Sequence, residues 1–146
     1  MVDLYFAFGS NLNRQQMSRR CPDSTPLMPS QLAEHELRFV GYSQTWGGGV
    51  ATVHPHPQKT VPGLIYRLSP GDFERLDVHE SGYKREIIQV PDQDGRPISV
   101  QTYLHLQPEQ HCAPSPPYAA IIAHAYGQMG IDFAELNEAL NVPTNP

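Results

Sequence analysis

Tyr5-Phe6-Ala7-Phe8-Gly9-Ser10-Asn11-Leu12 is the stretch on which the fold turns. Four apolar residues run as a strand into Gly-Ser-Asn, a sequence that turns the backbone and presents its N–H groups to an anion. Gly9 has no Cβ, so a positive φ and the close approach of a ligand to the backbone are both expected there. Ser10 and Asn11 add short polar side chains suited to capping a helix over 12–20. This is the pattern of a binding loop, although any strand-to-helix turn favours the same three residue types.

Working outward, alternating apolar runs broken by Gly, Pro and Asp predict strands at 3–8, 36–42, 49–54, 61–68, 85–91 and 97–106 in an antiparallel or mixed sheet. Asp92-Gln93-Asp94-Gly95-Arg96, set between Ile87-Ile88-Gln89-Val90 and Ile98-Ser99-Val100, predicts a hairpin. Helices are expected at 12–20, 70–79, 118–129 and 132–140. The second has the clearest start: Ser69 as N-cap, Pro70 in the first turn, and Asp72 and Glu74 close behind. Cys112-Ala113-Pro114-Ser115-Pro116-Pro117-Tyr118 reads as a rigid, extended connection that ends at an aromatic opening a helix. No repeat or linker divides the chain, so residues 1–146 are expected to form a single domain.

Composition narrows the function classes. A chain of 146 residues can bury enough surface for one core without disulfides. Its 15 prolines point to many punctuated loops. A formal net charge of −5 gives no basic field to steer nucleic acid or an anionic membrane, so neither is expected as a partner. Cys21 and Cys112 stand far apart without C-x-x-C spacing and read as free thiols in a reducing, cytoplasmic setting. The short apolar run at 4–8 lacks a basic flank, and no apolar stretch approaches membrane-spanning length.

Glu80 is the candidate for proton chemistry. It falls just past the end of the helix at 70–79, near the negative end of the helix dipole, which favours its protonated form and makes it a better base near neutral pH. Asp77 lies three residues earlier on the same face, leaving a paired-carboxylate reading open. Seven histidines invite a metal hypothesis, with His54 and His56 at alternate positions, but Pro55 and the lack of a nearby acidic or thiol ligand speak against it. Ser10, His79 and Asp77 contain the residue types of a nucleophilic triad, yet Phe-Gly-Ser-Asn is not a Gly-x-Ser-x-Gly elbow. One glycine without Gly-Lys-Ser also disfavours a phosphate loop.

Four segments, in order, resemble the signature segments of the γ-glutamylcyclotransferases: Tyr5–Leu12, Ser43-Gln44-Thr45-Trp46-Gly47-Gly48-Gly49-Val50-Ala51-Thr52-Val53, Val61-Pro62-Gly63-Leu64-Ile65-Tyr66 and Leu76-Asp77-Val78-His79-Glu80. The resemblance continues through Ser115-Pro116-Pro117-Tyr118 and the following helix. It implies an α+β fold, a small mixed β-barrel flanked by helices, with the substrate in a cavity beside the Gly-Ser-Asn loop. Glu80 falls on the family's catalytic glutamate. Tyr5, Phe6, Ala7, Phe8, Gly9, Ser10 and Asn11 fall on its substrate-binding loop, and Tyr118 on a tyrosine lining the site. Two departures stand out. Phe8 replaces the usual tyrosine before Gly-Ser-Asn, and the connection after Glu80 is short.

The implied reaction needs no cofactor and no metal. The α-amine of a γ-glutamyl group attacks its own γ-carbonyl, releasing an amino acid or amine and leaving 5-oxoproline. The loop amides suit either the substrate's α-carboxylate or the developing oxyanion. An amine-selective enzyme and a catalytically silent binding module of the same fold are the alternatives, and the family resemblance suggests a homodimer.

Overall fold

The structure, a computed structural model, describes residues 2–145. β1 (Leu4–Ala7) leads through a 3-10 turn (Ser10–Leu12) into α1 (Arg14–Arg20). Then follow β2 (Thr25–Ser43), β3 (Gly48–Arg67), α2 (Pro70–His79), β4 (Tyr83–Pro91), β5 (Pro97–His105), α3 (Pro116–Met129) and α4 (Ala134–Leu140). The five strands form one mixed sheet in the order β2-β3-β1-β5-β4. β1 pairs antiparallel with β3 through Leu4↔Arg67 to Ala7↔Leu64, and parallel with β5 at Tyr5↔Gln101.

The α+β class and the helical flanks stand, but the sheet is open and does not close into the expected barrel. Its two edges approach, and the Ser30 hydroxyl on β2 donates to the Pro91 carbonyl on β4 at 2.7 Å, but no ladder joins them. The strands expected at 49–54 and 61–68 are one long β3, and the one expected at 36–42 is the second half of β2. Prolines 26, 29, 55, 57 and 62 hid this ribbon, because proline removes a ladder donor. They are tolerated here because β2 is an edge strand, and β3 meets β1 only over residues 64–67, so its prolines have an unpaired side.

Near the binding loop, the helix expected from 12 starts later. The chain makes a 3-10 turn first, and Asn13, not Ser10 or Asn11, caps α1 by accepting from the Gln16 N–H at 2.8 Å. α2 starts as its sequence predicts, with Ser69 and Asp72 forming a reciprocal capping box. The β4–β5 hairpin is closed at Gly95, where φ is 80°. α3 begins at Pro116, two residues before the expected start. Phe6, Tyr66, Phe73, Met17, Leu76 and Ile122 are fully buried where the sheet meets the helices. Burial of each stabilises the fold by about 1.5–3 kcal/mol or more.

Candidate active site

A cavity of about 390 Å³ opens where the 3-10 turn, the end of α2 and the first residue of β4 converge. Of the residues anticipated from sequence, Tyr5, Phe8, Gly9, Ser10, Asn11, Glu80 and Tyr118 form its wall. Phe6 and Ala7 do not. Both are fully buried in the core, on opposite faces of β1, which is covered on both sides; Phe6 lies against the Phe8 ring.

Gly9 is required for a different reason from the one its sequence suggests. Its φ is −115°, an ordinary sign, but an added Cβ would lie 3.0 Å from the Ala51 Cβ and 3.5 Å from the Tyr118 hydroxyl. Close packing, not a left-handed backbone, is what disfavours a side chain there, since the Ala51 methyl would have to give by a few tenths of an ångström. The Ser10 and Asn11 N–H groups open the 3-10 turn and therefore have no acceptor within it.

Glu80 caps the C-terminus of α2, its N–H donating to the Leu76 carbonyl at 2.8 Å. A single turn then carries the chain into β4: the Tyr83 N–H donates to the Glu80 carbonyl at 3.1 Å, and Gly82 takes a φ of 87°. This turn accounts for the short connection noted in the sequence. The Glu80 Oε1 accepts from the Asn11 amide nitrogen at 3.0 Å. Burial pushes the Glu80 carboxyl up to about 7, while the Arg20 charge and the Asn11 hydrogen bond pull the other way. Desolvation is thus the largest cause of the rise.

Around this carboxylate stand four phenols, from Tyr5, Tyr83, Tyr103 and Tyr118, all pushed upward chiefly by burial and so neutral across the physiological range. The Tyr83 hydroxyl donates to the Ala51 carbonyl at 2.5 Å, and the Tyr118 hydroxyl accepts from the Ala51 N–H at 3.0 Å. Two tyrosines thus hold both polar groups of one β3 residue opposite Glu80. Trp46 packs on Tyr118 with ring centroids 4.9 Å apart. His79 and His105 also line the cavity, and burial holds both below the usual imidazole range.

Because its oxygen satisfies a buried N–H, Tyr118→Phe should cost stability as well as function. We expect a loss of about 1–2 kcal/mol, seen as a melting temperature lower by about 3–6 °C, together with reduced turnover. Unchanged melting with unchanged kinetics would remove Tyr118 from the site.

The other sequence readings separate cleanly. Asp77 lies outside the cavity wall: it accepts from the Tyr103 hydroxyl at 2.6 Å and pairs with Arg85 at 3.2 Å, so it forms no carboxylate pair with Glu80. The Ser10 hydroxyl accepts from Gln16 at 2.9 Å and has no hydrogen bond to His79 among the described residues. His54 and His56 each bond a neighbouring proline carbonyl, and no three His, Cys, Asp or Glu side chains converge among the described residues. Sequence reasoning missed Gln16, Arg20, Trp46, Tyr83, Tyr103 and His105. For the first two a signal existed, a polar pair four residues apart on one face of a short helix.

Comparisons with known proteins give the family. The family described as γ-glutamyl cyclotransferase, AIG2-like, matches residues 5–120. This chain belongs to that family. It is 32% identical over 136 residues to a γ-glutamylcyclotransferase of Homo sapiens, covering 88% of this chain and 72% of the relative. A Bos taurus γ-glutamylcyclotransferase is 30% identical, covering 94% and 77% of the two chains. Among solved structures, a γ-glutamyl cyclotransferase superposes with a TM-score of 0.84 at 29% identity, covering 97% of this chain and 88% of that one. The family match spans the Gly-Ser-Asn turn, Glu80 and Tyr118, so the whole cavity wall lies within it.

Proposed function

We propose that the chain is a γ-glutamylcyclotransferase that converts the γ-glutamyl group of an amino acid or amine to 5-oxoproline. The observation that carries this reading is Glu80: a half-buried carboxylate raised to about 7, held by Asn11 of the substrate loop at the wall of a cavity of amino-acid size.

The substrate supplies its own nucleophile, so the site must hold it folded, carry protons from the attacking to the departing nitrogen and stabilise one oxyanion. Glu80 accepts a proton from the substrate's α-ammonium. The freed amine attacks the γ-carbonyl carbon, forming the ring C–N bond and an oxyanion. The original γ C–N bond then breaks as Glu80 returns the proton to the departing nitrogen; the ring nitrogen gives up its second proton to the freed carboxylate, which passes it on to the released amine, so the lactam leaves neutral, the amine leaves as an ammonium and Glu80 is regenerated. The Ser10 and Asn11 N–H groups, without a partner among the described residues, supply donors for the substrate's carboxylate or oxyanion. Burial of four neutral phenols around the site lowers the local dielectric and strengthens each of these contacts.

Incubating the purified protein with γ-glutamyl dipeptides, glutathione and γ-glutamyl-amines should release 5-oxoproline from at least one class; no release from any would overturn the reading. The pH dependence follows from the raised carboxyl. Because the base must be ionised, kcat/KM should fall as pH drops through about 7, rather than through the ordinary glutamate value near 4.5. A pH profile flat down to 5 would show that another group takes the proton.

A further inference from the structure

The Asn11 side chain lies between α1 and Glu80, and its orientation is fixed by its partners. Its Oδ1 accepts from Gln16 Nε2 at 2.9 Å and from the Arg20 guanidinium at 3.0 Å. A guanidinium has donors only, so the atom facing it must be the amide oxygen. The amide nitrogen therefore faces the other way, where it donates to the Tyr5 hydroxyl at 2.9 Å and to Glu80 Oε1 at 3.0 Å. Gln16 Nε2 also donates to the Ser10 hydroxyl at 2.9 Å, tying the same helix face to the substrate loop. Residues 16 and 20 are one helical turn apart, so α1 presents both together.

We propose that Gln16 and Arg20 are positioning residues for Glu80: they lock Asn11 with its amide nitrogen on the carboxylate, and Arg20 adds the fixed positive charge of the cavity. The proposal rests on Glu80 being the base of the cyclisation. An amide nitrogen bonds a carboxylate, whereas a protonated carboxyl is served as well by an amide oxygen. The lock therefore favours the ionised form that the reaction requires. The groups facing Glu80 from the neighbouring elements are the phenols of Tyr5, Tyr83, Tyr103 and Tyr118, the Cys21 thiol and Arg20. Of these, only Arg20 opposes the burial that drives the carboxyl upward by its charge.

The test reads Glu80 directly. Its carboxyl ¹³C resonance, assigned by its loss in Glu80→Gln, is titrated in wild type, Arg20→Met, Arg20→Lys and Gln16→Leu, with melting temperature and kcat/KM against pH measured in parallel. Arg20→Met should raise the Glu80 midpoint by about 1 unit, and the acid limb of kcat/KM should move with it. Arg20→Lys should restore most of that shift. Gln16→Leu should lower kcat more than it raises KM, because a loosened Asn11 misplaces the base without removing charge. A Glu80 midpoint unchanged in Arg20→Met, together with wild-type kcat in Gln16→Leu, would overturn the proposal and leave this face of α1 as scaffold. The titration does not depend on turnover, so a wild-type protein that releases no 5-oxoproline would refute the proposed reaction while the midpoints still decide on the lock.

Discussion

Glu80→Gln is expected to lower turnover by about 10²–10⁴-fold, the range a positioned general base contributes. Glutamine keeps the size of the side chain and its oxygen can still accept from Asn11, but it cannot take the ammonium proton. Substrate binding should persist. Stability should not suffer, since the wild-type carboxyl is already penalised by burial when ionised, and removing that charge from a desolvated site is not a cost. The variant should melt within a few degrees of wild type and retain intact substrate long enough for binding to be measured by calorimetry. Asp77→Asn provides the contrast: Asp77 lies outside the cavity wall and acts there only through its hold on Tyr103 and Arg85, so any loss of activity should track loss of stability. Retention of more than about a tenth of wild-type rate by Glu80→Gln would place the carboxylate in the scaffold.

Gly49→Ala should have the largest effect on the fold around the site. The Gly49 N–H donates to the Ala113 carbonyl at 2.9 Å, and an added Cβ would lie only 1.8 Å from the Cys112 carbonyl oxygen. A methyl group cannot enter that contact without pushing the Cys112–Tyr118 connection off β3. This connection sets the start of α3 and hence the Tyr118 hydroxyl on Ala51. We expect a destabilisation of about 3 kcal/mol, the upper end for overpacking, and a melting temperature lower by about 10 °C. Turnover should fall even well below the new melting temperature, because Tyr118 is displaced in the folded state. Wild-type melting and kinetics in this variant would show that the connection is free to shift.

Much of this was legible in the chain because local chemistry dictates it. Ser69, Pro70 and Asp72 start α2 through interactions spanning four residues, and Asp92 with Gly95 closes the β4–β5 hairpin in the same way. The Gly-Ser-Asn turn and Glu80 were marked by residue type and by their order along the chain. The long β2–β3 ribbon was not legible, because proline's missing N–H matters only if a neighbouring strand asks for it. Which edges of β2 and β3 are unpaired is a property of the whole sheet.

The sequence by itself determined the class of fold, the Gly-Ser-Asn turn and the candidate carboxylate. Tertiary structure alone decided which of these residues reach the cavity, turning Phe6 and Ala7 into the core while Tyr5 and Phe8 line its wall. It also decided the source of the carboxylate's basicity. Proximity to a helix end is visible in one dimension, but the burial that raises Glu80 arises only when the fold closes around it, in a cavity whose wall includes Tyr5, Tyr83, Tyr103 and Tyr118 from β1, β4, β5 and α3. The countering hydrogen bond joins residues 69 positions apart. Burial and hydrogen-bond direction are sums over neighbours in space, and no window along the chain contains them.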